Sequence, residues 1–258
     1  MDNKTLISQY VNIGMRIPEY QMNQLSNNDL KSYLRMRTIN LGNIGYDNNT
    51  ELLSYEYKKM DDNQKDLFVK TLKESSIEDA MMTLGWRANS NDFVTRLVRL
   101  WPSSKISDNL IFILRNSHSA ITIIYEILNT HGPIYNSNYN IGQVLKYFEN
   151  PETKMNFCQK YLKLLSDKTT RIMTEVNSPI TGMLNALDSE MTKSVIKYFI
   201  LLNSTKPNGD KIGGTLFFTF LNNTSDNTFE EISNFMKRYL TLSPNQLDYI
   251  EKEKKQNG

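Results

Sequence analysis

Apolar residues recur along most of the chain at intervals of three and four, the spacing that lines one face of an α-helix. The clearest case is Val94, Leu97, Val98 and Trp101, followed at once by Pro102, which breaks a helix interior. Ile121, Ile124, Tyr125 and Leu128 repeat the stripe. So do Ile180, Met183, Leu184 and Leu187, then Met191, Val195, Tyr198, Phe199 and Leu202, and later Phe229, Ile232, Phe235, Met236 and Tyr239. Polar start signals precede several of these runs. Ser26 to Asp29 and Asn91-Asp92 offer N-caps, and Ser75-Ser-Ile-Glu78 reads as a capping box for a helix that runs through Leu84 and stops at Gly85. Leu216-Phe-Phe-Thr-Phe-Leu221 is too short for its period to separate helix from strand. Together these patterns predict an all-α fold, a compact two-lobed helical body with an N-terminal arm and a C-terminal extension.

The breaks in the pattern set the expected boundaries. Leu6, Ile7, Tyr10 and Val11 form a short amphipathic stripe that Gly14 and Pro18 interrupt, so residues 1–25 read as the arm. Residues 26–131 form the first lobe. His131-Gly-Pro133 opens a polar loop rich in Asn and Tyr, and residues 141–240 form the second lobe. Residues 241–258 end in a charged run and read as a frayed tail. No apolar run approaches the roughly 20 residues that span a bilayer, and the N-terminus lacks a cleavable signal's apolar core. The expectation is an intracellular protein without membrane insertion.

Composition removes most enzyme chemistry. One cysteine (Cys158) and two histidines (His118 and His131) leave no intrachain disulfide and no Cys- or His-rich metal site. Cys158 falls at helical spacing beside Phe157 and Tyr161, as a small core residue does. There is no P-loop, dinucleotide fingerprint, H-E-x-x-H or G-x-S-x-G motif. The expectation is therefore no catalytic residue, no metal and no cofactor, although a metal-dependent enzyme built from distant acids stays open, as does a host-directed regulator.

Overall charge is only +2, so any polyanion site depends on where cations gather. Segment 51–79 is acidic, with eight acids and five lysines. Segment 86–115 is basic, with Arg87, Arg96, Arg99, Lys105 and Arg115 against Asp92 and Asp108. Segment 154–171 holds Lys154, Lys160, Lys163, Lys168 and Arg171 against Asp167. Arg96 and Arg99 are three apart and project from one helix side. Tyr46, Trp86, Trp101 and Tyr161 adjoin these windows, and single-stranded nucleic acid is held by cations along its backbone and rings beneath its bases.

Several stretches resemble the nucleoproteins of segmented negative-strand RNA viruses, of the phlebovirus and tenuivirus type. They are the N-terminal stripe, Gly45-Tyr46-Asp47, and Phe93-Val-Thr-Arg96-Leu-Val-Arg-Leu-Trp101-Pro102. Lys168-Thr-Thr-Arg171 ahead of Asn177-Ser-Pro179, and Pro207-Asn208-Gly209, complete the set. The chain departs from that family in its acidic segment 61–79 and its longer C-terminus. The resemblance implies a protein that encapsidates single-stranded RNA in a basic cleft, in the virion and the host cytoplasm, with a viral polymerase as a further candidate partner. It makes Tyr46 a base-stacking or cleft aromatic, Arg96 a cleft cation, and Lys168 and Arg171 phosphate contacts. Arg87 and Arg99 join this RNA-binding set from the basic window. Leu6, Ile7, Tyr10 and Val11 become the homo-oligomerisation surface, docking on the next subunit. The competing expectation is a helical structural or adaptor protein of a virus particle that binds no nucleic acid.

Overall fold

The computed structural model describes residues 3–12, 17–40, 50–74, 77–88, 90–134, 138–168 and 178–256. The described chain is all-α. It holds sixteen α-helices and, in place of strands, one isolated parallel bridge between Lys211 and Thr241. It divides into two compact units, Met1–Thr130 and His131–Gly258.

The first unit contains α1 (Asn3–Asn12), α2 (Glu19–Met22), α3 (Asn27–Asn40), α4 (Thr50–Lys59), α5 (Asp62–Thr71) and α6 (Ile77–Ala80). A π-helical turn, Met81–Arg87, follows, then α7 (Asn91–Leu100), α8 (Ser103–Arg115) and α9 (Ala120–His131). Its centre is an aromatic cluster. Tyr57, Phe68 and Phe93, one each from α4, α5 and α7, meet at ring distances of 5.7–6.1 Å. Edge-to-face contacts of this kind add to the area the rings bury. Local caps make the helices start where they do. Asp61 and Gln64 close a reciprocal capping box on α5. Ser90, not Asn91-Asp92, caps α7 by accepting the Phe93 N–H at 3.2 Å, which frees Asp92 for other bonds.

Two features of this unit differ from the pattern-based expectation. Within the expected arm 1–25, the described residues pack on the unit: α1 lies against α3 and buries Ile7. The buried Ile17 N–H donates to the Tyr33 hydroxyl at 3.1 Å, and that hydroxyl in turn donates to the buried carboxylate of Glu56. Gly85 does not end a helix either. It lies inside the π-helical turn, where a Cβ would stand 2.9 Å from the Asn116 carbonyl oxygen. The missing side chain lets this turn press against the chain that leaves α8.

The second unit contains α10 (Asn138–Leu145), α11 (Pro151–Lys168), α12 (Ser178–Leu184), α13 (Ser189–Ser204), α14 (Gly214–Asn222), α15 (Asp226–Tyr239) and α16 (Pro244–Gln256). Asn150 and Asp188 cap α11 and α13 by accepting backbone N–H bonds three residues on. A buried Ser166–Asn203 hydrogen bond joins α11 to α13, and Lys206 donates to the Ser166 carbonyl at 2.7 Å. The turn after α13 needs glycine at 209, where a Cβ would fall 1.8 Å from the Asn203 carbonyl oxygen. The ambiguous run 216–221 is helical. It buries Leu216, Phe217, Phe220 and Leu221 and leaves Phe218 partly exposed.

Residues 241–258, expected as a tail, instead supply α16. Ser243 and Gln246 form the reciprocal bonds of a capping box, with Pro244 at the first helical position. Ile250 is fully buried, and Tyr249 meets Phe218 edge-on at 5.0 Å. Because α16 covers apolar surface of this unit, ending the chain before Pro244 should expose α14. Lost Ile-sized burial costs about 2–5 kcal/mol. Thermal unfolding of the truncated protein should show a clearly lower melting temperature; an unchanged one would mean that α16 adds no stability.

Candidate nucleic-acid interface

The first basic window is engaged inside its own unit. Arg96 projects from α7 toward α5 with its side chain only 19% exposed. Its guanidinium donates to Asp66 at 2.5 Å, Asp62 at 2.5 Å and Asp92 at 2.8 Å. Lys65 reaches Asp92 at 3.2 Å, and the Tyr57 hydroxyl donates to the same carboxylate at 3.1 Å. Two cations and three carboxylates thus clamp α5 to α7, and Tyr57 ties the clamp to the aromatic core. Burial alone would raise the Asp92 carboxyl, but the hydrogen bonds from Arg96 and Lys65 outweigh it and hold the group below its ordinary range. Burial, then the neighbouring Asp92 charge, pushes the Tyr57 phenol well above its ordinary range.

The neighbouring cations follow suit. Arg99 donates to Glu126 of α9 at 2.6 Å, and Lys105 pairs with Glu74 at 3.2 Å. Arg115, at the end of α8, is exposed and carries no ion pair among the described residues. The side chain of Arg87 lies outside the described residues. Of the cations expected to be free, Arg96 and Lys105 therefore meet the acidic segment, and Arg99 meets Glu126 of α9. Arg96 and Arg99 are pairing residues here, because helix spacing aims them at acids some thirty positions away in the chain.

The second window is turned outward. In α11, Phe157, Cys158, Tyr161 and Leu162 face the core, while Asn156, Lys160, Lys163 and Asp167 face solvent. Lys163 carries no ion pair among the described residues. The side chain of Lys168, together with Arg171, lies outside the described residues, as do Tyr46 and the side chain of Val11. Of the other oligomerisation residues, Ile7 is buried within its unit, and Leu6 and Tyr10 are partly exposed.

The aromatics divide as sharply. Trp101 and Tyr161 are core residues, and the Trp101 indole N–H donates to the Val69 carbonyl at 3.0 Å. Trp86 is 47% exposed and lies parallel to the exposed ring of His118, with centroids 4.5 Å apart and planes at 7°. His118 Nε2 also sits 2.6 Å from the Trp86 carbonyl oxygen; a carbonyl only accepts, so Nε2–H is the donor. His118 had no spacing signal, because its partner is 32 residues away. Cys158 is fully buried, and burial pushes its thiol up to about 12, so it is no nucleophile at neutral pH. Among the described residues no group of three or more His, Cys, Asp or Glu stands ready to hold a metal, and no helix is long and apolar enough to cross a membrane.

Replacing Arg96 with Ala would leave three carboxylates facing one lysine. Charge-assisted bonds at a partly solvated site are worth about 1–3 kcal/mol, so the variant should melt several degrees lower, with Arg96→Lys in between. The Asp92 carboxyl titrates lower in the folded chain than in the unfolded one. The bonds to Asp92 thus contribute fully above about pH 4 and weaken as the pH falls through its folded-state value. Acid unfolding followed by circular dichroism should show a shallower pH dependence in Asp92→Asn. Compared with models of protein families, with curated proteins and with solved structures, the chain finds no match.

Proposed function

We propose that this chain is a single-stranded RNA-binding protein of the nucleoprotein type, which packages viral RNA and self-associates through its first helix. One observation carries the reading: Lys160 and Lys163 stand on the solvent face of α11, opposite its buried side, in the basic window whose last residues, Lys168 to Arg171, carry the resemblance to that family's phosphate-binding stretch. Arginine and lysine on an exposed helix face track a phosphodiester backbone without selecting sequence. Arg115 adds an exposed cation in the first unit. Leu6 and Tyr10, left partly exposed on α1, supply apolar surface for a neighbouring copy, while Ile7 anchors the helix on its own unit. A virion and host-cytoplasm location, and a polymerase partner, belong to the same reading.

The internal pairing of Arg96, Arg99 and Lys105 favours a second reading, a helical structural or adaptor protein of a particle. Purified protein separates the two. An absorbance ratio raised by nucleic acid, and lowered by ribonuclease with high salt, supports packaging; a nucleic-acid-free protein of unchanged mass supports the adaptor.

Under the packaging reading, Lys160→Glu with Lys163→Glu should weaken binding to a uridine homopolymer. The salt dependence should flatten by about 0.7 per lost contact. Unchanged affinity would remove α11 from the interface. Removing residues 1–14 should shift light-scattering mass toward the monomer, and unaltered oligomers would remove α1 from assembly.

A further inference from the structure

Near-parallel aromatic pairs are scarce among the described residues. Phe148 and Phe157 form one, and both are buried. Trp86 and His118 form the other, and it faces solvent. Two contacts from one partner fix the imidazole: its face lies on the indole, and its Nε2–H bonds the Trp86 carbonyl. Gly85 keeps the π-helical turn close to Asn116, one residue beyond Arg115. The indole thus rests on the imidazole with nearly half its surface in water, and the exposed Arg115, which has no ion pair among the described residues, belongs to the adjoining stretch of chain. Ordering in advance lowers the entropic cost of binding.

We propose that Trp86, backed by His118, is a stacking platform for an unpaired nucleobase of a single strand, with Arg115 taking the phosphate beside it. This rests on the RNA-binding reading and adds a site to it in the first unit. A base suits the surface because the indole and imidazole offer a flat π-face, which every base can cover, and the exposed Arg115 is one residue from Asn116, against which the turn carrying Trp86 packs. Met82 and Ile121, each 38% exposed, are the other large apolar side chains nearby in the chain, and they give a ring or ribose something to rest on.

Fluorescence tests the platform on the full chain. The other indole, Trp101, is 3% exposed with its N–H bonded, so emission changes on titration report Trp86. An oligouridylate should quench that emission. Trp86→Ala should weaken oligouridylate binding about tenfold with its salt slope unchanged, because a ring contact releases no counterions. Trp86→Tyr, which keeps a stacking face, should restore most of the loss. Arg115→Ala should lower the slope instead. A duplex RNA of equal length should leave the emission unaltered, since its bases are already stacked. If oligouridylate binds but neither the emission nor the Trp86→Ala affinity changes, the platform is overturned and the RNA-binding reading survives. If no RNA binds, that reading fails and the platform with it. Should Trp86→Ala alter the mass in solution and leave RNA affinity intact, the surface is a protein interface and the platform is overturned.

Discussion

One guanidinium organises the first unit. Arg96 stands where α5 and α7 meet and bonds three carboxylates, one of them on its own helix. Its side chain is largely withdrawn from water, and its bonds to the half-exposed Asp66 and Asp92 are less screened than its bond to Asp62, which is 85% exposed. Lys65 and Tyr57 complete the set, and Tyr57 belongs at once to this polar layer and to the ring cluster with Phe68 and Phe93. The register of α5 against α7 is therefore held from two sides, apolar within and charged without.

This clamp changes what a basic window means. Segments 51–79 and 86–115 carry opposite net charge, and the fold pairs Arg96 with Asp62 and Asp66 and Lys105 with Glu74 across them. In segment 154–171, Lys160 and Lys163 of α11 lie on the solvent face and Lys154 is half-buried. Similar compositions thus serve different ends. Under the RNA-binding reading, a polyanion would meet exposed cations at Lys160 and Lys163 of α11 and at Arg115.

Much of the fold was legible from periodicity, and some of the chemistry was not. The three-four spacing in residues 94–101 and 191–202 leads directly to α7 and α13, since a helix buries one stripe regardless of its neighbours. The Ser243-Pro-Asn-Gln246 box was equally readable, but the charged run after it suggested a tail; Ile250 and Tyr249 show that a mostly polar helix needs few apolar anchors. Cys158 was readable as core for the same stripe-based reason.

Local rules act within one helical turn, and that range covers caps, breaks, apolar faces and the all-helical character of the chain. Two of the three partners of Arg96, Asp62 and Asp66, and the stacking of His118 on Trp86 lie outside it. They join residues 30 to 34 positions apart, which meet because helices pack through their buried faces and carry their polar faces along. Neither spacing nor composition encodes which acid an arginine will meet, or which ring will lie open to solvent. Those choices belong to packing, because they depend on the positions of several helices at once.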